Sequence, residues 1–279
     1  MARERILITV KTYPTLSRKH GETVCTAGIR ADGSWIRLYP VPFRRLNEDE
    51  QYSKFDWVEL DVRKGTSDPR PETHHPTDPK EIRAVEKIGT KDGWKDRRKA
   101  LKAVKAVKVH HQLQPLLDGA KANQLSLALF KPAKVIDFVW EECERDWDSA
   151  KVEAMRDKST QGELFAEEQW RQTFQLMPKL PYNFSYRFED VDGKKSELQV
   201  LDWEVGQLFQ NCLRDAKGNE AIALGKVKQK YWDAFLKTDL HFFLGTMQQF
   251  HGFSPNPWVI IGVLPMPYPP PVEQMEFFE

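Results

Sequence analysis

Short segments near the start of the chain alternate apolar and polar side chains with the two-residue period of a β-strand. They are Arg5–Tyr13, Thr23–Arg30, Ser34–Tyr39 and Asp56–Arg63. The second and third are separated only by Ala31-Asp32-Gly33, where glycine can supply a positive φ angle, so this pair is predicted to form a β-hairpin. The pattern as a whole predicts a small curved sheet or barrel.

The rest of the chain mixes helical and strand patterns. A helix is predicted at Trp94–His111, although its end, Ala103–Val109, fits a strand equally well. Helical composition also extends from Ser149 to Met177. Strands are predicted at Leu125–Phe130, Val135–Trp140, Tyr182–Phe188, Ser196–Leu201, His241–Leu244 and Trp258–Leu264, and further helices at Trp203–Leu213 and Asn219–Leu236. We therefore predict an α+β fold with a β-rich N-terminal half, a helical middle and a C-terminal ββααββ half.

Charge divides the chain unequally. Through Lys108 there are 24 Lys and Arg against 16 Asp and Glu, giving +8, and the remainder has 18 against 25, giving −7. The acidic run Glu141–Asp148 precedes the helical stretch, so we place a boundary there. The predicted parts are a basic half, 1–148; an acidic half, 149–264, which is either a second domain or a continuation of the first; and a proline-rich tail, 265–279.

Several classes of protein are disfavoured by the sequence. Cys25, Cys143 and Cys212 lie far apart, which predicts neither a disulfide framework nor a zinc ribbon, and we expect a reducing, cytoplasmic environment. Prolines interrupt the uncharged stretch His251–Val272, so no membrane span is expected. Dinucleotide-binding, P-loop, zincin and α/β-hydrolase signatures are absent, and we predict no cofactor.

The segment Lys91–His111 is strongly basic, with eight Lys and Arg against two Asp. On a helix, Lys95, Lys99 and Lys102 share one face, where they could neutralise successive phosphates of DNA or RNA. The full predicted basic surface comprises Arg44, Arg45, Lys95, Arg97, Arg98, Lys99, Lys102 and Lys105. A solvated helix face that binds nothing remains the alternative.

Aromatic residues are interleaved with arginines between Trp35 and Tyr52. Such mixing suits base stacking beside phosphate contacts, although most aromatic rings in mixed folds lie in the core. Tyr39 and Phe43, at the end of a predicted strand, are the stacking candidates.

The proline-rich segment Asp68–Pro79 is predicted to be an ordered loop or connector with several potential metal ligands. Asp68, Glu72, His74 and Asp78 are the weak catalytic candidates. Adjacent His74 and His75 would point in opposite directions on an extended chain, and the spacing fits no tetrahedral site. We therefore predict no high-affinity metal site here.

The C-terminal residues Gln274-Met275-Glu276-Phe277-Phe278 resemble the pentapeptide by which bacterial proteins dock onto the replicative sliding clamp. The resemblance implies that Gln274 hydrogen-bonds in a groove while Met275, Phe277 and Phe278 provide apolar contacts. The preceding prolines would project this peptide from the body. The alternative is a tail that packs its phenylalanines on its own body.

The leading hypothesis is a nucleic-acid-binding accessory protein that contacts phosphates without sequence preference. The first alternative is a metal-dependent phosphodiesterase or nucleotide hydrolase that uses the Asp68–Asp78 loop. The second is a scaffold that binds only protein through its tail.

Overall fold

The structure is a computed structural model of the chain and describes residues 2–17, 19–46, 51–103, 107–160 and 176–268. It contains both helices and strands, which confirms the α+β fold class. The N-terminal elements are β1 (Ala2–Lys11), β2 (Thr15–Ser17), β3 (Gly21–Arg30), β4 (Trp35–Val41), β5 (Asp56–Lys64), β6 (Thr73–Pro76), β7 (Arg83–Lys87) and α1 (Lys91–Ala103).

Five of these strands close into a barrel, as the sequence predicts. The strand order is β1-β3-β4-β6-β5, and β5 returns to pair with β1. Strands β4 and β6 run parallel, whereas every other pair around the barrel is antiparallel. This order, with the third and fifth barrel strands parallel, is that of the OB-fold, a five-stranded Greek-key barrel. Strand β2 extends β3 and strand β7 extends β5.

The barrel interior is filled by alternate residues of its strands, because successive side chains of a strand point to opposite faces. Its members include Ile6, Ile8, Val24, Ile36, Leu38, Val58, Leu60 and Val62. Gly28 is needed where β1 and β3 cross closely, since an added Cβ would come within 2.5 Å of the Ile6 side chain and the Leu7 carbonyl. Gly33 turns the predicted hairpin with a φ angle of 90°.

The segment predicted as a loop or connector at Asp68–Pro79 in fact contributes β6, the strand that closes the barrel. Thr73 and His74 pair with Arg37 and Leu38 of β4. On the other side, β6 pairs with the end of β5. The segment lacks a strong strand pattern of its own, and it is extended because hydrogen bonds to β4, which is remote in the sequence, and to the end of β5 hold it between the two strands.

The C-terminal half contains β8 (Val109–His110), α2 (Gln114–Lys121), β9 (Leu127–Phe130), β10 (Lys134–Glu142), α3 (Ser149–Thr160), β11 (Tyr182–Glu189), β12 (Lys195–Gln199), α4 (Trp203–Asp215), α5 (Glu220–Lys228), β13 (Asp239–Thr246) and β14 (Trp258–Met266). The segment from β11 to β14 confirms the predicted ββααββ order. One sheet has the order β10-β11-β12 and the other β14-β13-β9-β8. Aromatic side chains such as Phe138, Tyr186 and Phe242 dominate the core between these elements.

Strand pairing does not follow the predicted boundary at Asp148. Strands β9 and β10 precede this position, but β9 pairs with β13 and β10 pairs with β11. Both pairings cross residue 148, so residues from β8 onward belong to the C-terminal sheets. The acidic run that suggested the boundary lies at the end of β10 and in the connection that follows it.

The two halves share an apolar interface. The outer face of the barrel contributes Leu7, Val10 and Ala27, and the facing sheet contributes Leu129, Phe243, Val259 and Ile261. Tyr13 also donates its backbone N–H to the Leu201 carbonyl. No helix among the described residues is long and apolar enough to span a membrane.

Candidate functional site

An open cleft of about 300 Å³ lies on the outer face of the barrel. Four segments of the barrel half surround it: the β1–β3 connection, strand β4, the β5–β6 connection and strand β6. A fifth segment, the β13–β14 connection, comes from the other half. The lining residues are Ser17, Lys19, His20, Tyr39, Ser67, Asp68, His75 and Gln248.

Three rings form one side of the cleft. Tyr39 alternates with the interior residue Leu38, so its ring stands on the outer face of β4. The His20 ring meets it edge-on, with centroids 6.1 Å apart. From the neighbouring strand, His75 donates its Nδ1 proton to the Tyr39 carbonyl at 2.5 Å. All three side chains are partly exposed, so their rings are accessible to a ligand.

The acidic side chain in the cleft, Asp68, already has hydrogen-bond partners within the protein. Asp68 is buried and accepts hydrogen bonds from Arg70 and from the Thr73 hydroxyl. Burial acts to raise the pKa of Asp68, but the hydrogen bonds and positive charge of Arg70 outweigh it and the pKa falls below its usual value. Arg70 in turn donates to the Thr246 carbonyl. Asp68 is therefore an ionised structural group rather than a general acid.

Beyond Tyr39 the same face of β4 is covered by the C-terminal half. Arg37 is only 1% exposed and donates to the Ser126 hydroxyl at 2.6 Å and the Ser126 carbonyl at 2.9 Å. Ser126 donates its backbone N–H and its hydroxyl to Glu72. Burial and the neighbouring Arg70 lower the pKa of Arg37 to about 10, so Arg37 is charged at neutral pH. The Nε of Arg37 has no hydrogen-bond partner among the described residues.

The β13–β14 connection adds exposed aromatic rings near the cleft. Gln248 borders the cleft and donates to the Ser67 carbonyl at 3.2 Å. Phe250 and Phe253 follow within the same connection and are 41% and 73% exposed. Gly252, with a φ angle of 85°, makes the turn before Phe253. An exposed apolar patch on a protein surface can mark an interaction site.

The predicted basic helix is present but shorter than expected. Asp92, Gly93 and Trp94 have positive φ angles within α1, which ends at Ala103, and Val109–His110 forms a short strand. The strand alternative for Ala103–Val109 is met only at Val109, since Ala103 is helical and residues 104–106 lie outside the described residues. Lys95, Lys99 and Lys102 are exposed, which is the arrangement that phosphate contacts require. Lys105 lies outside the described residues.

Two arginines of this segment contact other residues of the protein. The Arg97 guanidinium lies over the rings of Phe55 and Trp94, at 4.4 and 4.7 Å from their centroids. Arg98 is only 9% exposed and donates to the Gly93 carbonyl. Burial removes Arg98 from the predicted phosphate-binding surface, whereas Arg97 is partly exposed and its phosphate contact stays a prediction.

Phe43 differs from expectation, whereas Arg44 and Arg45 are exposed and their predicted phosphate contacts stay a prediction. Arg44 donates to both carboxylate oxygens of Glu22, and Arg45 lies beside Met155. Phe43 is 4% exposed, with its ring against those of Tyr52 and Trp203. Phe43 is therefore a core residue and not a stacking platform, whereas Tyr39 is partly exposed and its stacking role stays a prediction.

The four weak catalytic candidates do not come together. Asp68 pairs with Arg70, and Glu72 accepts from Ser126. His74 donates to the Glu72 carbonyl, while Asp78 caps the short turn after β6 through the Lys80 N–H. Within the part of the chain that the structure describes, no group of three or more His, Cys, Asp or Glu side chains is placed to hold a metal ion.

The clamp-like peptide, Gln274 to Phe278, lies outside the described residues and stays a prediction.

Most of the residues that line the cleft could not be predicted from a pattern in the sequence. Lys19, Ser67 and Gln248 belong to separate segments with no motif in common.

Two parts of the chain match known domain families. Residues 107–279 match the domain of unknown function DUF8757. The chain belongs to this family. Residues 2–103 match a second domain of unknown function, DUF8758. The two matches meet between α1 and β8, where the strand pairing also divides the chain.

Two further comparisons add no information on function. No curated protein matches the sequence. A solved structure of a murine DNA binding protein bound with ds DNA matches over 95% of this chain and 94% of its own, at 10% identity and a TM-score of 0.30. A similarity this low carries no argument, so the functional reasoning rests on the cleft.

Proposed function

We propose that this protein binds single-stranded nucleic acid, with bases in the cleft and additional phosphate contacts from the lysines of α1. The observation that carries the proposal is the position of the cleft on the barrel. OB-fold barrels bind oligonucleotides and oligosaccharides on the face of their second and third strands and between the loops that join strands 1–2 and 4–5. Because one fold can host many unrelated functions, the residues that line the cleft must also suit a nucleic acid.

The cleft overlaps the corresponding place here, between the same two loops, although its strand residues come from β4 and β6 and none from β3. The second and third barrel strands are β3 and β4, and Tyr39 is on β4. The equivalent loops are the β1–β3 connection, which supplies Lys19 and His20, and the β5–β6 connection, which supplies Ser67. Both loops border the cleft together with the exposed part of the strand face.

The chemistry of the lining suits bases better than small acidic metabolites. Tyr39 and His20 offer ring faces on which a base can stack, and such stacking does not depend on base identity. Lys19 adds positive charge at the rim, and Ser17, Ser67 and Gln248 offer hydrogen-bonding groups. Lys95 and Lys99 provide phosphate contacts that are equally independent of sequence.

The hydrolase alternative lacks support in the geometry. Its carboxylates and His74 are held in separate hydrogen bonds, as described above. We therefore favour binding over catalysis.

The proposal is tested by fluorescence anisotropy with internally labelled single-stranded DNA, single-stranded RNA and duplex DNA at low ionic strength. Tyr39→Ala should weaken single-strand binding by about 5- to 150-fold, since base–aromatic stacking is worth roughly 1–3 kcal/mol. Tyr39→Phe is the matched control, because it keeps the ring and removes only the hydroxyl. Absence of binding to any nucleic acid, or equal effects of the two substitutions, would contradict the proposal.

A further inference from the structure

The cleft ends abruptly along β4. Tyr39 lines the open cleft, and Arg37, two residues back and about 7 Å away along the strand, is almost completely buried. Thr73, the β6 residue opposite Arg37, is also buried. A strand that entered past Tyr39 would meet the Arg37–Ser126 hydrogen bonds of the C-terminal half.

The cover over this part of the face is a permanent part of the fold. Trp35, the next outward residue of β4, packs edge-on against Phe243 of β13, with ring centroids 6.1 Å apart. Around them lie the apolar side chains that both halves bury between them, including Leu7, Ala27 and Val259. Exposing this face would return that apolar surface to water and leave charged Arg37 without its partners.

A second wall of the cleft is also closed by contact between the halves. Gln248 of the β13–β14 connection donates to the Ser67 carbonyl of the β5–β6 connection, and both residues line the cleft. Ser67 is followed in the chain by Asp68, whose carboxylate is buried against Arg70. The cleft therefore has an entrance near exposed Lys19 and a closed end beyond Tyr39.

We infer that the cleft receives one terminal nucleotide unit rather than the middle of a continuous strand. The inference rests on the proposed function and narrows its substrate class. A nucleotide unit in the cleft can come from the end of a single strand or from a free nucleotide, since both present one base, one sugar and a phosphate. The volume of about 300 Å³ lies at the lower end of the ~300–1,000 Å³ typical of ligand sites, which favours a single unit over several.

The test compares a linear single-stranded oligonucleotide with the same sequence ligated into a circle, both labelled internally. Each is titrated with the wild-type protein, Tyr39→Ala, Tyr39→Phe and Lys19→Glu. The Lys19 substitution lies at the exposed rim and tests the entrance without altering the folded interior. The wild type should bind the linear form at least about tenfold more tightly than the circle, a difference of about 1.4 kcal/mol.

The substitutions make the result specific to the cleft. Tyr39→Ala should remove the preference for the linear form, while Tyr39→Phe keeps it. Residual binding of the circle by the lysines of α1 should not change with either substitution. A nucleoside monophosphate is added as competitor, and displacement of the linear form that depends on Tyr39 would identify free nucleotides as a second source of the same unit.

The outcomes separate the two proposals. If linear and circular forms bind equally and Tyr39→Ala weakens both alike, the cleft accepts a continuous strand and this inference is wrong, whereas the proposed function stands. If neither the oligonucleotides nor the nucleotide bind, both proposals fail together.

Discussion

Asp202 joins the two halves of the molecule, so its removal should lower the stability of both. Its buried carboxylate accepts from the Lys54 ammonium at 2.7 and 2.8 Å and from the Val263 N–H at 2.8 Å. It also caps α4 through the Glu204 N–H at 3.2 Å. Removing one partner of a buried ion pair costs about 3–5 kcal/mol, and losing an N-cap costs about 1 kcal/mol. Glu204, 3.1 Å from the Lys54 ammonium, offsets part of this loss, so we expect Asp202→Ala to cost about 3–5 kcal/mol in total.

Equilibrium unfolding in urea measures this loss. With a slope of about 3 kcal/mol/M, the unfolding midpoint of Asp202→Ala should fall by about 1–2 M. Circular dichroism and tryptophan fluorescence should report the same transition, because the interface is shared by both halves. Asp202→Asn is the matched control, since asparagine keeps the cap and should cost about 1 kcal/mol less. A loss below about 1 kcal/mol for Asp202→Ala would refute the reasoning, because it would mean that Lys54 recovers full hydration.

Three further predictions concern charge and exposed rings. Lys95→Glu combined with Lys99→Glu should weaken nucleic-acid binding without changing the melting temperature, and should make the salt dependence of binding shallower by about 0.7–0.9 for each phosphate that is no longer neutralised. Phe253→Ala should leave stability unchanged, because the ring is 73% exposed, and should weaken binding if the ring stacks on a base. Burial and the nearby Lys54 lower the pKa of Lys11 from 10.5 to about 8. Between these values the unfolded chain binds more protons than the folded one, so this group makes stability rise with pH. Lys11→Met should therefore raise the thermal midpoint at pH 7 and raise it less near about pH 10, as measured by calorimetry.

Local patterns in the sequence were enough to predict most of the secondary-structure elements. The predicted hairpin at Gly33 depends on a glycine with a positive φ angle, and the helices predicted from Trp203 and from Asn219 begin where the Asp202 and Asn219 side chains accept from the first turn. The alternation of apolar residues was sufficient to predict four of the five barrel strands, all but β6, and the later ββααββ order. These features involve residues within a few positions of one another, so the pattern carries the information directly.

The candidate site, in contrast, depends on contacts between remote parts of the chain. Strand β6 forms because distant strands supply its hydrogen bonds, and Phe43 is buried because Trp203, from the other half, packs against it. Arg37 is an arginine on an outward strand position, yet the C-terminal sheet covers it. The cleft combines segments spread over more than two hundred residues of the chain. Their proximity follows from strand pairing and burial between remote segments, and these long-range contacts leave no local pattern in the sequence.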